Sequence, residues 1–257
     1  MNFKKYIPNL LTLGNLLSGT IAAIFAVNES YEIVALLVVL GIFFDFLDGF
    51  VARLLNVSGE LGKQLDSLAD MVTSGVVPGI VMFNLLGSSN NLDDEMQAIN
   101  STYWDDYIFF PIQFFGLLLT LGACYRLAKF NIDTRQTSSF IGLPSPAMSL
   151  FVISLPLIMA SYNYSFVANI IESKYFLLPI TLVLTFVMNA EMPLFSLKFK
   201  DYSMVNNKIK YFFLASSLSM IVVLKQLSIP LIIVLYIILS LTHNFKNNAI
   251  SKRNHTD

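Results

Sequence analysis

An all-α integral membrane protein with about eight transmembrane helices is the fold that this 257-residue sequence predicts. Composition is the first reason: 55% of the residues are hydrophobic and 13% are charged, about half the charged share of an ordinary soluble domain. The second is that apolar runs recur along the whole chain with no polar linker between them, so residues 1–257 read as a single domain. The third is the placement of Lys and Arg, which gather on alternate sides of those runs. Sixteen basic against seventeen acidic residues leave no cationic excess for a nucleic-acid partner. One cysteine, Cys124, excludes an internal disulfide and a cysteine-rich metal cluster. The two histidines, His243 and His255, fall in the last fifteen residues and leave little material for histidine-based catalysis.

A helix needs about 20 apolar residues to cross the hydrocarbon core of a bilayer. Runs near that size occupy residues 7–27, 33–55, 67–86, 107–127, 144–161, 176–188, 211–224 and 227–241, the last three being short or closely spaced. The first follows Lys4 and Lys5 and ends among Ala22, Ala23 and Ala26, the outline of a secretory signal peptide. Asn9, Thr12 and Asn15 interrupt the clean apolar stretch such a peptide requires, so the run is read as a first transmembrane helix. The second and third runs are joined by a turn at residues 56–59.

With the N-terminus in the cytoplasm, eight crossings put fourteen of the sixteen basic residues inside. These are Lys4, Lys5, Arg53, Lys63, Arg126, Lys129, Arg135, Lys198, Lys200, Lys208, Lys210, Lys246, Lys252 and Arg253; only Lys174 and Lys225 fall outside. That asymmetry predicts an even number of spans with both termini cytoplasmic; the expected home is the cell's inner membrane, with the active site on its cytoplasmic side. The loop at 87–106 carries Asp93, Asp94, Glu95, Asp105 and Asp106 with no basic residue, and is expected to face outward. No internal repeat or low-complexity segment is visible.

Against this apolar background stand Asp45, Asp48, Asp66 and Asp70. A charge at the bilayer centre costs about 2.5 to 3.5 kcal/mol on insertion scales, so four cannot face lipid. Asp45 and Asp48 are three apart and Asp66 and Asp70 four apart, so each pair shares one helical face. The hairpin through residues 56–59 brings the pairs together at one end of consecutive spans, where like charges repel unless a cation sits among them. Oxygen ligands with no His or Cys nearby select Mg²⁺ or Mn²⁺ over zinc. A buried ion-pair network with Arg53 and Lys63 is the plainer reading, but four acids outnumber two bases. Gly49, Ala52, Gly62 and Gly75 let a helix or a flat ligand approach closely, and ordinary helix packing would use them equally well.

Written out, the segment is Asp45-x2-Asp48-Gly49-x2-Ala52-Arg53-x8-Gly62-x3-Asp66-x3-Asp70. It resembles the complete signature of the CDP-alcohol phosphotransferase family. Ile-Pro-Asn-Leu-Leu-Thr-Leu-Gly-Asn at 7–15, Tyr-Arg-Leu-Ala-Lys-Phe-Asn at 125–131 and Gly-Leu-Pro-Ser-Pro at 142–146 resemble the integral-membrane branch that makes phosphatidylserine. The resemblance is densest over 7–146; beyond Met148 only hydropathy corresponds. Relatives more often carry Arg where this chain has Lys129, which keeps the charge and loses bidentate geometry.

The resemblance implies a transmembrane CDP-alcohol phosphotransferase core and transfer of a phosphatidyl group from CDP-diacylglycerol to an alcohol, here L-serine, with release of CMP. It implies that Asp45, Asp48 and Asp66 ligate metal, two ions of Mg²⁺ or Mn²⁺, and that Asp70 is shared between metal and catalysis. Asn9, Thr12, Gly49, Ala52, Arg53 and Gly62 would bind CDP-diacylglycerol, and relatives are homodimers. The chemistry agrees, because a serine hydroxyl attacking an anionic phosphorus needs charge neutralisation and a base. With no His or Cys near the site, direct displacement is expected rather than a covalent enzyme intermediate. Arg126, with Lys129, is the expected grip for the serine carboxylate, a guanidinium being able to make two parallel hydrogen bonds to it. Snorkelling of both to the interface is the plainer alternative. An acceptor such as glycerol 3-phosphate or an inositol phosphate is the runner-up. A cation transporter would also place acids in spans, although nearer the midplane and within repeated halves.

Overall fold

The computed structural model describes residues 4, 6–57, 59–89, 112–133, 140–161, 165–195, 203–204 and 207–253, without the side chains of Phe140, Ser165 and 243–253. The expected outward acids Asp93, Asp94, Glu95, Asp105 and Asp106 lie outside the described residues, as do Lys5, Arg135, Lys198, Lys200 and His255.

Helix α1 (Tyr6–Val27) turns back through a tight bend at Glu29, whose φ is 56°, into α2 (Tyr31–Leu55). Asn56 closes α2 in the left-handed conformation, and its N–H reaches the carbonyls of Ala52 and Arg53. Asn tolerates that conformation better than most side chains, which suits it to a helix stop before a short turn. The next stretch is helical from Glu60 to Gly87 and divides into α3 (Glu60–Met71), a π-helical turn (Val72–Val76) and α4 (Val77–Gly87). It begins seven residues before the expected run at 67. The first turns carry Glu60, Lys63 and Gln64, and an apolar run marks the lipid-facing part of a helix, not its polar start.

A 3₁₀ turn (Ile112–Leu117) leads into α5 (Leu118–Ile132), followed by strand β1 (Phe140–Ile141), α6 (Ser145–Met159), the short α7 (Ser165–Ile171), α8 (Lys174–Asn189) and strand β2 (Pro193–Leu194). The strands pair antiparallel, Phe140 opposite Leu194. Helices α9 (Lys208–Leu224) and α10 (Ser228–Arg253) close the described chain. They are two legs of a hairpin: Lys225 breaks the helix at φ 45°, and the rings of Phe213 and Tyr236 meet with centroids 5.7 Å apart.

Helix thus stands at each of the eight expected places. Tyr6–Val27, Tyr31–Leu55 and Glu60–Gly87 are each long and apolar enough to cross a bilayer alone. The apolar Ser145–Met159 and Lys174–Asn189 are shorter, about 22 to 24 Å at 1.5 Å per residue. Successive connections gather at opposite ends. At one end β1 meets β2, and Lys63 Nζ donates to the Asn131 carbonyl; at the other Asn84 Nδ2 donates to the Ala26 carbonyl at 2.8 Å. Helix α6 is the buried centre, with Met148, Phe151, Val152, Ile153, Leu155 and Ile158 packed against Val77, Val81, Met82 and Leu86 of α4. Large apolar side chains stay exposed on the outer helices, Leu10, Leu13 and Leu17 on α1 and Leu36, Phe43 and Phe50 on α2. So much exposed apolar surface belongs in lipid; the protein is a multi-pass membrane protein.

Candidate active site

Three helices build the site at the end where α2 turns into α3. Helix α2 contributes Asp45 and Asp48, and α3 contributes Asp66 and Asp70, each pair on one face as the spacing requires. One carboxylate oxygen from each of Asp45, Asp48 and Asp66 lies within 4.8 Å of the others. Asp48, only 6% exposed, accepts from Thr12 Oγ1 of α1. Oδ1 of Asp66 is buried with no partner. A buried carboxylate oxygen left unsatisfied is costly unless something fills the place. Three converging carboxylates with one oxygen unclaimed fit a hard divalent cation.

Asp70 stands outside that triple. Its Oδ1 accepts from Asn15 Nδ2 at 3.0 Å, and the Oδ1 of Asn15 accepts from Thr73 Oγ1 at 2.7 Å. Asn15 and Thr73 are both fully buried.

Beside the acids lies a cavity of about 230 Å³ lined by Pro8, Asn9, Thr12, Asp48, Gly49, Ala52, Val57, Gly59, Gly62, Lys63 and Asp66. Five of the six residues expected to bind CDP-diacylglycerol are in that wall. Arg53, the sixth, is exposed; its two terminal nitrogens lie 4.0 Å from where a Cβ on Gly49 would be. Among the described residues neither Arg53 nor Lys63 is ion-paired with the four acids, and Lys63 Nζ is turned to the Asn131 carbonyl. Its place in the cavity wall went unread in the sequence.

Arg126 does not snorkel. It is 9% exposed, its Nη1 donates to Ser145 Oγ at 3.1 Å, and its guanidinium acts electrostatically on Asp70. Its Nε is buried with no partner. Lys129 is engaged elsewhere, pairing with Glu191 at 3.2 Å on the partly exposed side of α5. The structure therefore brings one of the two expected serine ligands to the acids and gives the other a local counterion. Asn15, Thr73 and Ser145 were also missed as site residues. For Asn15 the signal was present, since Asn9, Thr12 and Asn15 recur every three residues and mark one polar face on an apolar helix.

A sequence profile of the CDP-alcohol phosphatidyltransferase family matches residues 5–187, which takes in the whole site and ends before α9. Curated relatives agree with it. The CDP-diacylglycerol–serine O-phosphatidyltransferase of Bacillus subtilis is 32% identical over 165 residues, covering 61% of this chain and 81% of that protein. Its namesake in Helicobacter pylori is 32% identical over 159 residues, covering 61% and 60%. The archaetidylserine synthase of Methanothermobacter thermautotrophicus is 30% identical over 162 residues, covering 60% and 61%. The last two matches thus span about three fifths of those relatives' length. With the profile extending across α1 to α8 and every signature residue seated in or beside one cavity, the chain belongs to the CDP-alcohol phosphatidyltransferase family.

Proposed function

We propose that this chain transfers the phosphatidyl group of CDP-diacylglycerol to L-serine, forming phosphatidylserine and releasing CMP. The observation that carries the reading is the set of carboxylates gathered by α2 and α3, of which Asp48 and Asp66 line the Asn9–Gly49–Gly62 cavity; the names of the relatives add serine as acceptor. The serine hydroxyl oxygen forms the new bond to the phosphatidyl phosphorus while the bond from that phosphorus to the CMP oxygen breaks. Asp70 takes the hydroxyl proton, its Oδ1 held by Asn15. Asn9, Thr12, Gly49, Ala52 and Gly62 seat the nucleotide and diphosphate, and small residues there let a flat group lie close to the helices. Arg53, exposed and reaching back beside Gly49, would face the phosphates. Arg126 offers its unclaimed Nε edge to the serine carboxylate; Lys129, tied to Glu191, adds positive charge at a distance. Asp45, Asp48 and Asp66, with Asp70 at their edge, would hold Mg²⁺ or Mn²⁺, two ions in this reading, and bound there the metal would neutralise charge on the diphosphate. The chain works as a homodimer in the inner membrane, with the site and both termini cytoplasmic. The lopsided placement of Lys and Arg supports that orientation.

The test is CMP release from CDP-diacylglycerol by purified protein, with Mg²⁺ or Mn²⁺ and with serine, glycerol 3-phosphate or an inositol phosphate offered in turn. The expected result is release that needs both metal and serine, with phosphatidylserine formed in equal amount. Faster turnover with glycerol 3-phosphate overturns the acceptor, and no release with any acceptor overturns the transferase reading.

A further inference from the structure

The hydrogen bonds behind Asp70 run deeper than catalysis by the carboxylates alone requires. Asn15 is wholly buried in α1 and gives its amide N–H to Asp70 Oδ1. Thr73, also wholly buried, approaches Asn15 twice, its hydroxyl 2.7 Å from the side-chain oxygen and 3.2 Å from the backbone carbonyl. Ser149 of α6 reaches the Thr73 carbonyl at 3.5 Å. Thr73 lies in the π-helical turn, where an extra residue per turn shifts the side chains that follow Asp70 on the same helix. The chain makes room for it from two sides. A Cβ on Gly19 would lie 2.9 Å from Thr73 Cα, and one on Gly41 would lie 2.8 Å from Thr73 Cγ2 and 2.9 Å from Asn15 Oδ1. Three helices and one irregular turn thus converge on one amide. A buried amide without its partners would be costly, and here both its ends are engaged in a single direction, Thr73 to Asn15 to Asp70.

We infer that Asn15 and Thr73 are positioning residues: the Thr73–Asn15 pair fixes the Asp70 carboxylate so that one oxygen is committed to the amide and the other is presented to the acceptor hydroxyl. The groups facing Asp70 are Asp45, Asp48, Asp66, Asn15 and Arg126, and of these Asn15 alone is a neutral donor. An ionised Asp66 repels the carboxylate and Arg126 draws it. A neutral tether holds it at a defined angle between them, and misalignment of a reacting group by about an ångström is enough to cost up to a hundredfold in rate. The inference rests on the reading of Asp70 as the base.

Thr73→Val removes the hydroxyl at nearly constant volume, and Thr73→Ser restores it. Thr73→Val is expected to lower kcat about tenfold with the KM for CDP-diacylglycerol unchanged. Thr73→Ser should return kcat to within about twofold of wild type. Thr73→Val should melt somewhat earlier, because it leaves the buried Asn15 Oδ1 without its donor, while Thr73→Ser should melt as wild type; both should keep the Mg²⁺-induced melting shift of wild type, so the kinetic effect is not loss of metal. The deciding measurement combines Thr73→Val with Asp70→Asn. If the pair acts through Asp70, the double variant is no slower than Asp70→Asn alone. Losses that multiply, or a Thr73→Val enzyme with wild-type kcat beside a crippled Asp70→Asn, overturn the positioning role while leaving Asp70 as base. Asp70→Asn turning over near wild type would instead remove the base reading on which it stands. Should Thr73→Val fail to fold, Asn15→Ser in the same cycle replaces it, judged by the same non-additivity.

Discussion

At the scale of single residues the site divides into groups that spacing reveals and groups that only packing reveals. The three- and four-residue spacings of Asp45, Asp48, Asp66 and Asp70 already imply two facing pairs, because helical periodicity leaves no other arrangement. The different fates of Arg126 and Lys129 are not legible in the same way. They are three apart on one helix, and only the position of Glu191, sixty-two residues further on, gives Lys129 a counterion while Arg126 turns inward to Ser145 and Asp70. Two expected outcomes follow from these positions. Asp70→Asn keeps size but loses basicity, and turnover should fall by about 10² or more with CDP-diacylglycerol binding largely kept; a near-normal rate discards Asp70 as base. Arg126→Lys keeps the charge but loses the fork, and loss of a charge-assisted contact of about 1.5 to 3 kcal/mol should raise the serine KM roughly ten- to a hundredfold. The CDP-diacylglycerol KM should hardly move. If both constants rise together, Arg126 serves the lipid nucleotide; if neither moves, it is structural.

At the scale of elements, the hairpin of α1 and α2 and the long α3–α4 stretch were visible as apolar runs, but the π-helical turn between α3 and α4 was not. Nothing in Val-Thr-Ser-Gly-Val marks an extra residue per turn; it is the crowding of Gly19 and Gly41 against Thr73 that makes the turn intelligible. Strands β1 and β2 escaped notice for a similar reason, since two-residue pairings between distant loops leave no periodic signal. Gly41→Ala tests the crowding. Its methyl group would overlap Thr73 and Asn15, and overpacking of this kind costs about 1 to 3 kcal/mol. The variant should melt earlier and turn over more slowly, because the displaced atoms belong to the Asn15 tether. Gly14→Ala is the control on the neighbouring helix. Its methyl would meet Phe44 at an ordinary 3.4 Å, so melting and turnover should stay near wild type. Equal behaviour of the two variants in melting and in kcat would contradict the close approach of Thr73.

At the scale of the whole molecule, the eight helical places were legible because burial in lipid imposes a length, whereas the position of α6 at the centre was not, its sequence being no more apolar than that of α2, which faces lipid. The same global view shows why the carboxylate end should matter for stability. Helices α1, α2 and α3 meet there through Thr12, Asp48 and Asn15 as well as through apolar contact, and Asp45, Asp48 and Asp66 bring negative charge together at their junction. A cation among the three would join the two helices, and without one their like charges would weaken that junction. A ligand that binds only the folded state at a hundred times its Kd stabilises it by about 2.7 kcal/mol, which for a chain of this size corresponds to a melting shift of roughly 5 to 10 °C. Chelation with EDTA should therefore lower the melting temperature in detergent by several degrees, and excess Mg²⁺ or Mn²⁺ should restore it. Asp66→Asn weakens the triple, and its melting temperature should respond little to either treatment. That contrast separates a specific site from a general effect of divalent ions on detergent or lipid, which would move both proteins alike. A wild-type melting curve indifferent to both EDTA and added metal would mean that the three carboxylates hold no ion, and the diphosphate would then have to be neutralised by basic side chains such as Arg53.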